Sequence, residues 1–501
     1  VIERLAVIKR LFSVSFDWAW ALMFLLLPIT SFPFLVHLMG GMTVAPASIL
    51  PLAWLVAWFA IFIAGREELP QEVIPFLAFV SAALLSSGAA FFMESPTFKA
   101  NNLLDTELSS LVTLGIGATF YLVSAGWLSR RPQQFEKTLR LINYAGLILL
   151  AWASLQAVIV LFFDSRYPEI MDEFQSLFST NRRGLFPRRV TGFAFEPSWL
   201  AHQINLLFLP VWLASSIKRV SAHRFRLWKL SLENILLVMG VLMILLSSRI
   251  GTLAVLLMVA FLAIRLHLKW FAKIRAGLDK RLRIRSPLLR FLVRVFFFTF
   301  LISGLAFLYL LALFGLLFAL ANLDPRMAPL FNLGAIKTHL VSPYGLFNYL
   351  RFAERYVYWV AGWRIFNDHP ILGVGIGNAG LYFLKYLPSY SWTLVEVTES
   401  VYRLTAVMNI KSLWVRILAE TGLLGFSTFL GWLAILWQTC RFLEANRQKL
   451  MSMLGLAGQL GLVALLAEGF SIDTFALPYI WLMLGMVSAA GLVTRQEVRQ
   501  E

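Results

Sequence analysis

Residues 16–40 read FDWAWALMFLLLPITSFPFLVHLMG, an apolar run that fixes the class of the whole chain. A bilayer core takes about 20 apolar residues per helical crossing, and this run is long enough to cross. It is too long for a secretory leader and has no small-residue cleavage site, so no cleavable signal peptide is expected. Composition extends the reading to all 501 residues: 59% are hydrophobic, 14% are charged, and the mean hydropathy is +0.74. A soluble domain carries roughly 25% charge, so the chain reads as an integral membrane protein.

Runs of similar length follow near 44–64, 73–92, 108–128, 140–163 and 197–217, then near 232–247, 250–267, 295–320, 413–438, 452–470 and 475–494. The expected fold is therefore all-α and polytopic, a single membrane domain over 1–501 with about twelve transmembrane helices. The pair joined by Ser247-Ser248-Arg249 reads either as two short helices or as one long kinked helix.

Charge orients the spans, because short cytoplasmic loops hold the excess of Lys and Arg. With both termini inside, the formal net charge of +17 falls entirely on the cytoplasmic face. Its densest patch is the basic loop 268–294, a topology determinant suited to anionic lipid headgroups rather than to nucleic acid. Two outer segments are longer than simple connections: 164–196, and a large helical periplasmic loop, 321–412, between spans 9 and 10. Ser342-Pro343 predicts a helix start in the large loop and Asn367-Asp368-His369-Pro370 its stop. The lone Cys440 excludes an intramolecular disulfide and a cysteine-based metal cluster.

The large loop contains HPILGVGIGNAG at 369–380, and its last six residues fit G-x-G-x-x-G. That pattern binds a dinucleotide only after a strand and before a helix. Here the preceding YVYWVAGWRIFND is helical in pattern, and the charge rule puts the stretch outside. The glycines instead predict a sharp turn at the membrane surface that brings the helix of Arg355 over a site.

Four constellations carry candidate chemistry. Glu196 stands before Pro197 at the start of a span, as a helix cap or as a general base. His202, one turn after Ser198, reads as a packed core histidine more readily than as a catalyst. Arg249 sits at the break between two apolar runs, where an anion can be received. Arg355 lies on the predicted loop helix with Arg351 and Arg364 near it, and the basic pairs Arg182-Arg183 and Arg188-Arg189 could gather an anionic lipid or saccharide. Arginines without a Walker loop, paired aspartates or a histidine cluster suggest a pyrophosphate held by guanidinium forks, with no metal and no cofactor.

Taken together, FEPSWLA at 195–201, SSRIGTLAV at 247–255, Arg355-x-x-x-Trp359, HPILGVGIGN at 369–378 and LAETGLLGF at 418–426 resemble, in order, the O-antigen ligase and polymerase superfamily of Wzy and WaaL type. These are bacterial membrane glycosyltransferases. The resemblance implies an inner-membrane enzyme acting on the outer face upon a glycan carried by polyprenyl pyrophosphate. An acceptor glycan hydroxyl attacks the anomeric carbon with inversion, and Arg249 and Arg355 clamp the leaving pyrophosphate. His369, Gly373, Gly375 and Asn409 fall in the family's loop motifs and are expected to bind substrate. Membrane lipids, a chain-length regulator and a flippase are the expected partners, with no nucleic acid.

One departure separates two branches of that superfamily. Ligases carry a histidine followed by asparagine shortly before the A-E-x-G-L-x-G helix, whereas this chain has Met408-Asn409. The F-x-E-P-S pattern at Glu196 is similar to the polymerase branch, which makes Glu196 the expected catalytic base. The expected activity is therefore polymerisation of repeat units into O-antigen or exopolysaccharide. A ligase passing glycan to lipid A core or protein is the close alternative, and a lipid-linked oligosaccharide flippase the more distant one. Flippases and other transporters commonly show internal repeats and midplane sites, and neither is visible here.

Overall fold

The computed structural model describes residues 2–93, 96–163, 167–181, 184–281, 286–323, 326–403 and 407–500. It is mainly α-helical, with one two-stranded hairpin pairing Arg226–Leu227 with Leu230–Ser231. The protein is a membrane protein: among the described residues eight helices are long and apolar enough to cross a bilayer, and Phe12–Leu25, Ile49–Ala64 and Leu232–Leu245 are shorter apolar helices. Each of the twelve runs read from the sequence falls on helix, but four do not meet that length and apolarity.

The opening run shows why. Its helix ends at Leu25, and a separate short helix covers Pro33–Leu38. Pro28 and Pro33 lack the amide that helical hydrogen bonding needs, and the freed backbone pairs sideways instead, Phe32 N donating to Ala45 O at 2.9 Å. The expected single crossing at 16–40 is thus a helix followed by a turn. The alternative left open at Ser247-Ser248-Arg249 resolves as a break between Leu232–Leu245 and the much longer Arg249–Arg281. Val190 N donates to Leu246 O at 2.9 Å, so the chain before Pro197 pins the break.

Two compact units divide the chain: Val1–Val255 with Glu354–Glu501, and Leu256–Ala353. In the first, Phe76, Tyr121, Trp432 and Trp481 form a buried aromatic core, with Tyr121 edge-on to Trp432 at 5.2 Å and Trp432 stacked on Trp481 at 5.8 Å. Helices Leu103–Arg130 and Tyr479–Gln500 approach closely there, because Gly117 leaves room where a Cβ would stand 2.6 Å from the Trp481 ring. Asn102 and Asp105 cap the first of these helices with a reciprocal box. Within the span Pro197–Lys218, Ile204–Phe208 widens to a π-turn just before Pro210, whose missing amide and ring disturb the preceding turn.

The second unit is dominated by Pro287–Leu323, whose most apolar stretch has no buried residue. Phe296 and Phe300 stand exposed on it, a surface suited to lipid. The basic stretch 268–294 is helical on both sides of 282–285, four residues outside the described set. The helix expected to run from Ser342 to Asp368 is two, Pro343–Tyr349 and Ala353–Asp368. Arg351 sits between them with φ +55°, so it leaves the helical face on which Arg355, Tyr358 and Gly362 lie.

Candidate functional site: an interlocked loop and a polar cavity

The glycine stretch 369–380 and the motif LAETGLLGF hold each other. Helix Leu413–Glu444 breaks its own backbone at Gly422, with φ 61° and ψ −161°. A break there orphans amides and carbonyls that must find partners, and the glycine stretch supplies them. Val374 N donates to Ala419 O at 3.1 Å and Gly375 N to Glu420 O at 3.0 Å, while Leu423 N donates to Pro370 O at 2.8 Å and Leu424 N to Ile371 O at 3.2 Å. The Ser86 hydroxyl donates to Glu420 O at 2.6 Å and also to Leu372 O.

Space is as tight as the hydrogen bonding. A Cβ on Gly373, φ +69°, would stand 2.6 Å from Ala419 O, and one on Gly375, φ +87°, would stand 2.5 Å from Glu107 Oε1. Asn378 closes the loop from below, its Nδ2 donating to Glu107 Oε1 at 2.8 Å and to Val374 O at 3.0 Å, while Thr106 Oγ1 donates to its Oδ1 at 2.5 Å. The preceding element is helix Ala353–Asp368, not a strand, so the dinucleotide pattern lacks its context. The expected hinge is a wedge: it is driven into the helix break and buried against Val73–Ala90 and Leu103–Arg130.

Beside the wedge lies a polar cavity of about 530 Å³, bounded by Thr106, Ser110, Asn409, Arg416, Glu420 and Asp473 among others, with Trp199 and the Gly40-Gly41 turn on its rim. Arg416 organises it. Nε donates to Glu420 Oε2 at 2.9 Å, Nη2 to Ser110 Oγ at 3.0 Å and Nη1 to Asp473 O at 2.5 Å. The pair is nearly sealed, at 5% and 4% side-chain exposure, so its satisfied hydrogen bonds matter more than its attraction. Asn409 Nδ2 donates to the same Asp473 carbonyl at 2.7 Å.

The other expected residues that the structure describes do not line this cavity. Glu196 occupies the N-cap position of Pro197–Gln203 without a side-chain cap hydrogen bond and accepts from the Ser198 hydroxyl; Trp199 on the same turn reaches the cavity. His202 is a core histidine, wholly buried, with Nδ1 2.7 Å from Glu468 Oε2. Asn205 Nδ2 donates both to Glu468 Oε1 at 2.5 Å and to Gly251 O at 3.0 Å. Through it the segment of Arg249 is fastened to the FEPSWLA helix, and Arg249 itself is half-buried at the start of Arg249–Arg281.

Arg355 is half-buried on Ala353–Asp368, and its Nη1 is buried with no hydrogen-bond partner among the described residues. Gly362 on that helix meets Val415 and Ile410, and Trp359 tilts against Phe470 at 5.3 Å. Lys411 pairs with Glu396 and lies over the Tyr358 ring at 5.3 Å. The Arg355 helix is thereby seated on the segment 410–415, which follows Met408 and Asn409 at the cavity border.

Arg364 Nη1 donates to Tyr386 O at 3.1 Å and is committed locally. His369 packs edge-on to Tyr382 at 5.8 Å; burial holds its imidazole below the ordinary 6.5, with Asp368 opposing and Lys385 assisting. Arg188 adopts φ 61°, and the Arg189 guanidinium lies 5.8 Å over the Phe186 ring. Arg182 and Arg183 fall outside the described residues. Arg351 belongs to the other unit.

Three expected residues, Gly373, Gly375 and Asn409, thus come together with three that sequence reasoning did not single out, Arg416, Glu420 and Asp473. Glu420 lay in the quoted LAETGLLGF, with Arg416 one helical turn before it, a spacing that signals an i,i+4 pair. Nothing local marked Asp473, which joins the cavity only through tertiary structure.

A family model described as O-antigen ligase matches residues 235–430. The matched segment contains SSRIGTLAV, Arg355, the wedge and LAETGLLGF, so the resemblance to the O-antigen ligase and polymerase superfamily holds there. FEPSWLA and Asp473 lie outside it. No curated protein matches the chain.

Proposed function

We propose that this protein polymerises polyprenyl-pyrophosphate-linked oligosaccharide repeat units into O-antigen or exopolysaccharide on the outer face of the bacterial inner membrane. The observation that carries the reading is the wedge: two family motifs separate in sequence interlock, and Gly377 of one and Glu420 of the other border a cavity of about 530 Å³. That volume lies within the roughly 300–1,000 Å³ of small-molecule sites, and hydroxyl, amide and aromatic groups on its walls suit a sugar.

The acceptor's terminal sugar occupies the cavity. Its hydroxyl attacks the anomeric carbon of the donor glycan, the carbon–oxygen bond to polyprenyl pyrophosphate breaks, and configuration inverts. Charge grows on the departing pyrophosphate, which is where preorganised donors lower the barrier. Arg249 and Arg355 supply them, and the buried Nη1 of Arg355, without a hydrogen-bond partner among the described residues, is a donor already desolvated. Glu196 stands at the outer end of its span and accepts from the Ser198 hydroxyl, beside Trp199 at the cavity border. The donor carries its own activated linkage, so no cofactor enters the balance.

Met408 at the place of the ligase histidine favours polymerase over ligase. The experiment is genetic: cells lacking the protein are expected to lose polymer and keep surface glycan of a single repeat unit. Loss of all surface glycan, with long lipid-linked polymer retained, would make it a ligase. Loss of outward transport of the lipid-linked unit would make it a flippase.

A further inference from the structure

We infer that Asp473 is the catalytic base that takes the proton of the acceptor hydroxyl, an assignment that rests on the glycan-transfer reading above. Asp473 lies in the turn between Lys449–Glu468 and Tyr479–Gln500, outside the segment matched by the family model. Its backbone carbonyl receives two donors, Arg416 Nη1 at 2.5 Å and Asn409 Nδ2 at 2.7 Å. The residue is therefore fixed in place by its main chain, and its carboxylate is left for other work.

Three acidic residues border the cavity, and only one is unengaged. Glu420 is bound by Arg416 Nε. Asp105 is taken into the capping box, facing the Asn102 amide at 3.5 Å. The half-buried Asp473 carboxylate makes no hydrogen bond or ion pair with any described residue. An acceptor-only group bordering a polar cavity is suited to receive a hydroxyl.

The adjoining wall removes the competing base. Met408 and Asn409 border the same cavity, and Met408 stands where ligases resembling this chain carry histidine. A thioether cannot accept a proton at neutral pH, and the Asn409 amide is spent on the Asp473 carbonyl. Glu196, the base expected from the sequence, does not border the cavity, so proton transfer from the acceptor falls to Asp473. As the acceptor oxygen bonds to the donor's anomeric carbon, its proton passes to the carboxylate. The electron pair of the broken carbon–oxygen bond leaves with polyprenyl pyrophosphate. The protonated Asp473 returns its proton to water before the next turnover.

The test uses the full-length protein in vesicles with a polyprenyl-pyrophosphate oligosaccharide as donor and acceptor. General base catalysis contributes roughly 10²–10⁴-fold, so Asp473→Asn is expected to lower the rate at least 100-fold at saturating donor while donor crosslinking stays at the wild-type level. Asp473→Ala is expected to regain at least tenfold in rate from added formate, which a merely structural role would not produce. A rate reduced by less than tenfold in Asp473→Asn, lost donor crosslinking, or no response of Asp473→Ala to formate would overturn the assignment. Wild-type protein that transfers no glycan to any acceptor would instead overturn the glycan-transfer reading itself, so the two failures are told apart.

Discussion

Replacing Gly373 by alanine tests the wedge on which the cavity depends. Gly373 has φ +69°, and a Cβ there would stand 2.6 Å from Ala419 O and from Glu420 O. Left-handed backbone costs an L-residue about 1–2 kcal/mol, and forcing a methyl into a filled space costs a further 1–3 kcal/mol or so. Both contacted oxygens accept from the wedge, Ala419 O from Val374 N and Glu420 O from Gly375 N, so relief by backbone movement would stretch those hydrogen bonds. The expected loss is roughly 2–5 kcal/mol.

Gly88 is the matched control. It is also a glycine, sits inside helix Val73–Ala90, and has nothing within 4 Å of its virtual Cβ. Alanine there gains roughly 0.5–1 kcal/mol of helix preference. Thermal unfolding in detergent, followed by intrinsic fluorescence, is expected to place Gly373→Ala well below wild type and Gly88→Ala at or above it. Gly373→Ala melting as high as Gly88→Ala would refute the interlock.

Further predictions follow the same residues. Arg249→Ala and Arg355→Ala are each expected to abolish elongation with the protein still folded in the membrane. Lysine at either place should restore little, because a point charge does not replace a guanidinium fork; full product from Arg249→Ala or Arg355→Ala removes that residue from the clamp. Arg416→Ala strands the buried Glu420 carboxylate and is expected to cost about 3–5 kcal/mol, read as lost monodisperse protein, and Arg416→Met with Glu420→Gln should recover most of it. Burial lowers the His369 value in the folded state below the unfolded 6.5, so its contribution to stability is present above 6.5 and declines as pH falls through the lowered value. Melting temperature below about pH 6.5 should therefore fall less steeply for His369→Gln than for wild type; equal slopes would deny the burial effect.

Much of the fold was written in apolar periodicity. Helix positions followed from run length and from punctuation such as Ser342-Pro343, and the ends failed where local chemistry intervened. Pro28 and Pro33 broke a run whose hydropathy alone reads as continuous. Arg351 stands between two helices with a left-handed backbone that periodicity does not record. The candidate site was less legible. Ordered motifs named the wedge and its partner helix but not that they interlock, since a glycine's contacts depend on the residue it lets approach. Arg416 and Glu420 were visible as an i,i+4 pair without any sign of burial. Asp473, in a short turn after the last motif, gains its place only from the Arg416 and Asn409 hydrogen bonds to its carbonyl.

The central claim is chain growth on a lipid-linked donor, and product identity tests it most directly. Purified wild-type protein reconstituted with a single defined polyprenyl-pyrophosphate oligosaccharide, and with no nucleotide or membrane potential, is expected to yield a ladder of lipid-linked products spaced by one repeat unit. Label passing to lipid A core or protein when those acceptors are offered, with no ladder in their absence, would contradict it.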